Sequence, residues 1–263
     1  MDILVCVKQV PGSSDVEVDP VTGVLKREGF STKLNPYDLY SIEMAMSLRE
    51  QYGGTLRAIT MGPPQAKQAL LETVWMGADG GVLLTDRAFG GADCLATSYA
   101  LSQAVRQMGH YDLILCGKQT TDGDTAQVGS ELSEELGIPN IGNAISIVLD
   151  KEGFATVTQN LDDRIVTTEV PLPCLICVDA DINTPRLPSY KRSKLIQEDA
   201  FRSLTLKDVS DQDKTHYGLL GSRTSVERIF PPEKNTDRKT LTGSSAELAS
   251  QIADILKAGK FVG

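Results

Sequence analysis

The strongest local chemical signal in the chain is Gly117-Lys118-Gln119-Thr120-Thr121-Asp122-Gly123-Asp124-Thr125-Ala126-Gln127-Val128-Gly129. Gly117 and Gly123 tolerate unusual backbone angles and let a ligand approach the main chain closely. Asp124 or Thr125 is placed to cap a following helix. The free N–H groups of that helix, with the positive end of its dipole, then face a phosphate or diphosphate. The same residues also describe an ordinary capped turn. The loop Phe89-Gly90-Gly91-Ala92-Asp93 is built alike, with glycines to turn the chain and Asp93 to cap the next helix. Taken alone it is an ordinary connection. Neither loop is a P-loop, because no Gly-Lys-Ser/Thr triplet stands at the required place. Neither carries the GxGxxG dinucleotide fingerprint.

Side-chain catalysis finds little support. His110 and His216 lie far apart, and no HExxH, GxSxG or carboxylate-pair motif stands out. No catalytic residue is assigned, and none is needed where a bound redox cofactor does the chemistry. The cysteines Cys6, Cys94, Cys116, Cys174 and Cys177 are an odd, scattered set, read as reduced thiols. Cys174-Leu175-Ile176-Cys177 has the CxxC spacing but sits in an apolar run, the pattern of a buried strand. It is read as structural, and no metal site is expected.

The elements that must position these loops alternate. Short apolar runs at Ile3–Val7, Thr55–Met61, Gly81–Thr85 and Tyr111–Cys116 predict buried parallel strands. Helices are predicted to open at Asn35-Pro36, with Asn35 capping and Pro36 at the first helical position, and to run from Gly62-Pro63-Pro64 to Met76, from Cys94 to Met108 and from Thr125 to Leu136. Glycines at 53, 54, 77 and 137 stop them. This is the rhythm of a doubly wound, mostly parallel α/β sheet. Ile145–Leu149, Ala155–Asn160 and Ile165–Val170 add an antiparallel segment, and Leu172–Asp179 a last buried strand. Asp19-Pro20-Val21-Thr22-Gly23 marks a hairpin turn. From Asn183 on, Pro185, Pro188, Pro231 and Pro232 punctuate an extended polar arm. Only Ser245–Lys257 regains a helical pattern, with Leu248, Ile252, Ile255 and Leu256 on one face. The expected division is a nucleotide-binding α/β domain over 1–190 and an arm with a docking helix over 191–263.

The 263 residues suit one large α/β domain with an appendage. A net charge of -9 argues against a nucleic-acid partner but leaves room for a nucleotide held by main-chain amides. No apolar run reaches the length of a membrane span, and no basic segment precedes the first apolar run. A cytoplasmic location is expected.

In open parallel sheets ligands bind beyond the carboxyl ends of the strands. Three post-strand segments there are rich in suitable residues: Lys8-Gln9-Val10-Pro11, Gly62-Pro63-Pro64 and Gly117–Gly129. Several segments, in their order and spacing, resemble the beta subunits of electron-transferring flavoproteins up to about residue 190. They are Val5-Cys6-Val7-Lys8-Gln9-Val10-Pro11, Asn35-Pro36-Tyr37-Asp38, Thr60-Met61-Gly62-Pro63, Gly77-Ala78-Asp79, Gly117-Lys118-Gln119 and Asp124–Gly129. The resemblance implies a heterodimer with a larger alpha subunit that carries FAD, and a nucleotide at the three loops of the beta subunit. In plain electron carriers that nucleotide is a structural AMP. In the NADH-using, bifurcating branch it is a second FAD, which takes a hydride from NADH. One electron then passes through the alpha-subunit FAD to a flavin dehydrogenase, of acyl-CoA or hydroxy-acid type. The other goes to ferredoxin or flavodoxin.

Thr85-Asp86-Arg87-Ala88-Phe89-Gly90-Gly91-Ala92-Asp93 resembles the flavin and NAD loop of the bifurcating branch, and Asp122–Gly129 matches its form. Cys94 departs from the usual Thr, and a thiol is the weaker donor; Thr97 and Ser98 remain nearby. The implied cofactor residues are Cys6, Lys8, Asn35, Asp38, Met61, Gly62, Phe89, Gly91, Ala92, Asp93, Cys94, Thr97, Gly117, Gln119, Asp122, Gly123, Asp124, Thr125, Ala126, Gln127, Val128 and Gly129. Asn183-Thr184-Pro185-Arg186 resembles the lead-in to the family's partner-recognition loop. There Arg186, Leu187, Tyr190 and Lys191 would dock the dehydrogenase, with Tyr190 where an apolar anchor is usual. Arg186, Lys191, Arg192 and Lys194 form a basic patch suited to an acidic partner. The C-terminal helix would pack on the alpha subunit. A non-redox nucleotide-binding module on the same scaffold is the competing reading.

Overall fold

The computed structural model describes residues 1–12, 31–150, 152–195, 198–227, 236 and 238–262. In chain order the strands are β1 (Asp2–Cys6), β2 (Gln9–Pro11), β3 (Thr32–Leu34), β4 (Thr55–Met61), β5 (Gly80–Leu84), β6 (Leu113–Gly117), β7 (Asn140–Leu149), β8 (Phe154–Leu161), β9 (Arg164–Pro171), β10 (Cys174–Val178) and β11 (Phe201–Leu204). The helices are α1 (Pro36–Tyr52), α2 (Lys67–Met76), α3 (Cys94–Met108), α4 (Val128–Leu136), α5 (Tyr190–Ser193), α6 (Gly218–Gly221) and α7 (Ser245–Ala258).

Nine strands form one sheet in the order β11-β5-β4-β1-β6-β10-β7-β8-β9. The pairings from β11 through β7 are all parallel; β8 and β9 are added antiparallel. The expected α/β class and antiparallel addition are therefore present. β2 and β3 pair separately, antiparallel, while the turn Asp19–Gly23 lies outside the described residues.

Both faces are covered, which is why the central strands read as unbroken apolar runs. Ile3 and Val5 of β1 point into a core with Ile42 and Met46 of α1 and Leu70 and Val74 of α2. Leu4 points the other way, toward Leu101 and Val105 of α3 and Leu132 of α4. Successive strand residues face opposite sides, so one β1 residue step moves a side chain between the two cores.

The chain leaves β1 toward β4 on one side and later returns to β6 on the other. The strand order reverses between β1 and β6, the place where doubly wound sheets open a crevice.

Three expectations change. α4 begins at Val128, not at Thr125, because Asp124 and Ala126 hold left-handed φ values of 52° and 55° that no helix continues. Asn35 is the N-cap residue of α1 with Pro36 following, but its side chain makes no capping bond. The arm is also less extended than its polar composition implies. β11 adds to the sheet edge at β5, and Leu206, Val209 and Tyr217 are buried against α3 and its neighbours. β11 has only four residues, Phe-Arg-Ser-Leu, too few for periodicity to reveal. Pro231 and Pro232 lie outside the described residues.

α7 starts with a capping box between Ser244 and Glu247. None of its residues is buried, and Ile252, Ile255 and Leu256 remain exposed on it. No helix among the described residues is long and apolar enough to cross a membrane.

Candidate functional site

β4, β1 and β6 are adjacent and parallel, so the three glycine- and proline-bearing loops that follow them leave the same rim of the sheet. A network of polar bonds joins them. The Lys8 backbone N–H donates to Asp38 Oδ2 (2.7 Å). Asn35 Nδ2 donates to Asp38 Oδ1 (2.8 Å) and to the Gln119 carbonyl (2.9 Å), while Asn35 Oδ1 accepts from the Thr121 N–H (3.3 Å). Asn35 thus spends its amide on the β6 loop, which explains why it does not cap α1. Gln119 Nε2 donates to the Tyr37 hydroxyl (3.2 Å) and to Asp124 Oδ1 (2.6 Å). Lys8 Nζ sits 2.8 Å from both oxygens of Asp122. Gln9 Nε2 reaches the Gln65 carbonyl (3.1 Å), tying the β1 loop to the β4 loop beside Met61 and Gly62.

Burial pushes the Asp38 carboxyl up to about 7, against the Asn35 amide and the Lys8 N–H, which favour the charged form. Burial also raises Asp122, but its contact with Lys8 outweighs this and holds it below the usual carboxylate range. Asp122 through Gln127 are exposed, so this loop lies at the surface.

Two glycines are required by close approach. A Cβ on Gly117 would come within 2.6 Å of Asp38 Oδ1 and 2.7 Å of the Tyr37 carbonyl carbon. A Cβ on Gly129 would collide with Cys177 Sγ. Together they let β6 and α4 sit tight against α1 and β10.

The two glycine-containing loops, alike in sequence, differ in structure. Asp93 caps α3: its Oδ1 accepts from the Ala96 N–H (3.0 Å). The N-cap of α4 is Gln127, which makes no side-chain cap bond. Asp124 is engaged by Gln119, and Thr125 Oγ1 receives the Cys94 Sγ–H (3.2 Å), so neither caps α4 as expected. The first-turn N–H groups of α4 have no partner within the helix and none from a capping side chain. They are the donors that suit a phosphate.

Of the expected site residues, Cys6, Lys8, Asn35, Asp38, Gly117, Gln119, Asp122, Gly123 and Asp124 cluster at the mouth between β1 and β6. Cys94 joins Thr125, next to Thr97 on the first turn of α3. Val128 and Gly129 form the base of α4, half-buried and buried. Phe89 is buried in the core, its ring 5.4 Å from that of Tyr217, and Gly91 faces Leu219. Ala92 is half-buried. Tyr37, Thr121 and Gln9 stand inside the quoted motifs but were not among the expected site residues.

Leu187 and Tyr190 are largely exposed and Lys191 is exposed, whereas Arg186 is committed. Its guanidinium binds Glu43 (2.8 and 2.9 Å) and Glu50 (2.6 and 3.1 Å) of α1. Arg186 therefore braces the root of its loop and leaves the tip to Leu187, Tyr190 and Lys191.

Cys174 and Cys177 both lie buried in β10. Burial pushes the Cys174 thiol up to about 11. Contact with Cys116, and burial, hold Cys177 well above the usual thiol range. Native-state alkylation should therefore label half-exposed Cys6 and Cys94 first and leave Cys174 and Cys177 about a hundredfold slower. Peptide mapping after timed iodoacetamide treatment reads this directly, and early labelling of Cys177 would contradict it.

The fold is of the doubly wound α/β class, with the amide-bearing rim where that class binds its ligands. Residues 22–208 match the electron transfer flavoprotein domain. The chain is 38% identical over 262 residues to the electron transfer flavoprotein subunit beta of Clostridium acetobutylicum, covering 100% of both. It is 38% identical to subunit CarD of the caffeyl-CoA reductase-Etf complex of Acetobacterium woodii, over 98% of each chain. Protein FixA of Azorhizobium caulinodans is also 38% identical, over 98% of this chain and 94% of the relative. The chain belongs to the electron transfer flavoprotein family, and its full-length likeness is to beta subunits.

Proposed function

We propose that this chain holds FAD at the β4–β1–β6 rim and works with an alpha subunit in an NADH-linked, electron-bifurcating flavoprotein. The observation that carries the reading is the uncapped N-terminus of α4 at the β1/β6 crevice, below an exposed loop. The N–H groups of Thr125 to Gly129 would hold the diphosphate. Asn35, Asp38 and Gln119 keep that loop in register with β1, and Met61 and Gly62 form a neighbouring wall. Cys94 and Thr97, at the start of α3, lie on the side where the rest of a dinucleotide would extend. A flavin supplies hydride acceptance and one-electron transfer, so the chain itself needs only to bind, orient and shield. The likeness to a subunit of a reductase-Etf complex supports a partner dehydrogenase of the CoA-ester type. Exposed Tyr190 and Leu187 would anchor it, and the apolar face of α7 would pack on the alpha subunit. Ferredoxin or flavodoxin would take the second electron.

A second reading has its own support. Phe89 is buried and the Asp93 carboxylate is fully engaged, so the 89–93 loop presents few free groups. AMP alone would need only the three loops of β4, β1 and β6. Cofactor extraction from the co-expressed heterodimer separates the two. Two FAD per heterodimer are expected; one FAD with one AMP would replace the bifurcating reading by the plain carrier, and no nucleotide at all would end both.

A further inference from the structure

The stretch after β11 crosses α3 and ends on the Phe89–Asp93 loop. Tyr217 packs its ring 5.4 Å from Phe89 and 5.5 Å from Tyr99, and its hydroxyl donates to the Asp211 carbonyl (2.6 Å). The Leu219 N–H donates to the Gly90 carbonyl (3.0 Å). Gly218 holds φ 54°, and a Cβ there would strike the Ala88 carbonyl, so the two segments meet backbone to backbone. Asp93 closes the contact from both sides. Its N–H donates to Ser222 Oγ (2.8 Å). Its Oδ1 caps α3, and its Oδ2 accepts from the Arg223 N–H (2.8 Å), the Thr224 N–H (2.9 Å) and the Thr224 hydroxyl (3.1 Å). Bonds to an ionised acceptor are the stronger kind.

We infer that Asp93 is a positioning residue: its carboxylate clasps residues 222–224 to the start of α3, so that the root of the C-terminal arm and the Phe89–Asp93 loop behave as one unit. Burial alone would push the Asp93 carboxyl up, but the amides of Ala96, Thr224 and Arg223 outweigh it and hold the group ionised. The arm leads on to α7, whose apolar face is exposed. Seating of a partner on the arm and the set of the loop are then linked, and linkage acts in both directions. That consequence rests on the reading of the rim and of α7 given above; the clasp itself does not.

Hydrogen exchange on the purified heterodimer tests it. Asp93→Ala removes both acceptor oxygens. Exchange at Arg223 and Thr224 should accelerate by about tenfold or more, and at Ala96 by about threefold or more as the cap of α3 is lost. The double variant Ser222→Ala/Thr224→Val, made wholly on the arm, should speed exchange of the Asp93 amide by about threefold or more if the two segments are coupled. Cofactor content should stay at the wild-type level in the double variant, whose two residues lie outside the implied cofactor set. Unchanged exchange at 223 and 224 in Asp93→Ala would overturn the clasp. So would loss of cofactor with that protection intact, which would make Asp93 a cofactor ligand instead. A wild-type heterodimer without nucleotide would remove the cofactor reading while leaving the exchange result standing.

Discussion

Gly129→Ala is expected to unseat the first turn of α4 and weaken nucleotide binding about tenfold or more, because the N–H groups aimed at a phosphate move with it. Alanine is the better helix residue by about 1 kcal/mol, so propensity alone predicts stabilisation. The contact decides the sign. A methyl there would overlap Cys177 Sγ, with Cys116 Cβ and Leu175 Cδ2 each 3.5 Å away, and these atoms sit in the packed core of the sheet. Overpacking of this kind costs about 1–3 kcal/mol. The test lies in its repair. Cys177→Ala removes the sulfur, so Gly129→Ala/Cys177→Ala should return to within about 1 kcal/mol of the wild type and recover AMP binding. Urea denaturation and calorimetric titration with AMP measure both. A single variant as stable as wild type, binding AMP equally well, would refute the argument. Gly117→Ala should have no such repair, because the obstruction includes the Tyr37 backbone.

The second large effect is electrostatic. Asp38 ionises near 3.8 when exposed and is pushed up to about 7 in the fold. Below pH 4 it is protonated in both states, and above 7 it is ionised in both. Between these limits the native state keeps a proton that the unfolded chain has lost, so stability must fall as pH rises. The whole loss is about 4 kcal/mol at most. It is fully present above pH 7 and absent below 4. Asp38→Asn cannot titrate, and the misdirected NH2 beside Asn35 adds only a pH-independent offset. The difference in unfolding free energy, wild type minus variant, should therefore drop by about 2–4 kcal/mol from pH 4 to 7.5. Urea melts at closely spaced pH values read it. A flat difference would mean that the Lys8 N–H, the Asn35 amide and the Lys8 charge outweigh burial and keep the carboxylate ionised throughout. Lys8, Asp122 and the Cys116 thiol, the other titratable groups coupled to Asp38, are present in both proteins.

Much of the fold is local and was legible. β1, β4, β5 and β6 announce themselves by apolar runs, because a strand covered on both faces has no polar side to show. Gly53 and Gly77 end α1 and α2 where the glycines stand in the sequence. The three post-strand loops could be placed on one rim because parallel strands all finish on the same side. β11 could not be found, since four residues carry no period. The start of α4 was misplaced, since two non-glycine residues at positive φ give no compositional warning.

The sequence by itself determined the α/β class, the glycine-relaxed loops and the family, because all three follow from order and spacing along the chain. Only the tertiary structure decided what the charged side chains do. Asp93 spends its carboxylate on residues 130 positions away, and Arg186 binds Glu43 across 143. Two helix starts that read alike became different, one closed by its own aspartate and one left open. A side chain's chemistry is set by the partner it finds in space, and for these residues the partner lies far off in sequence.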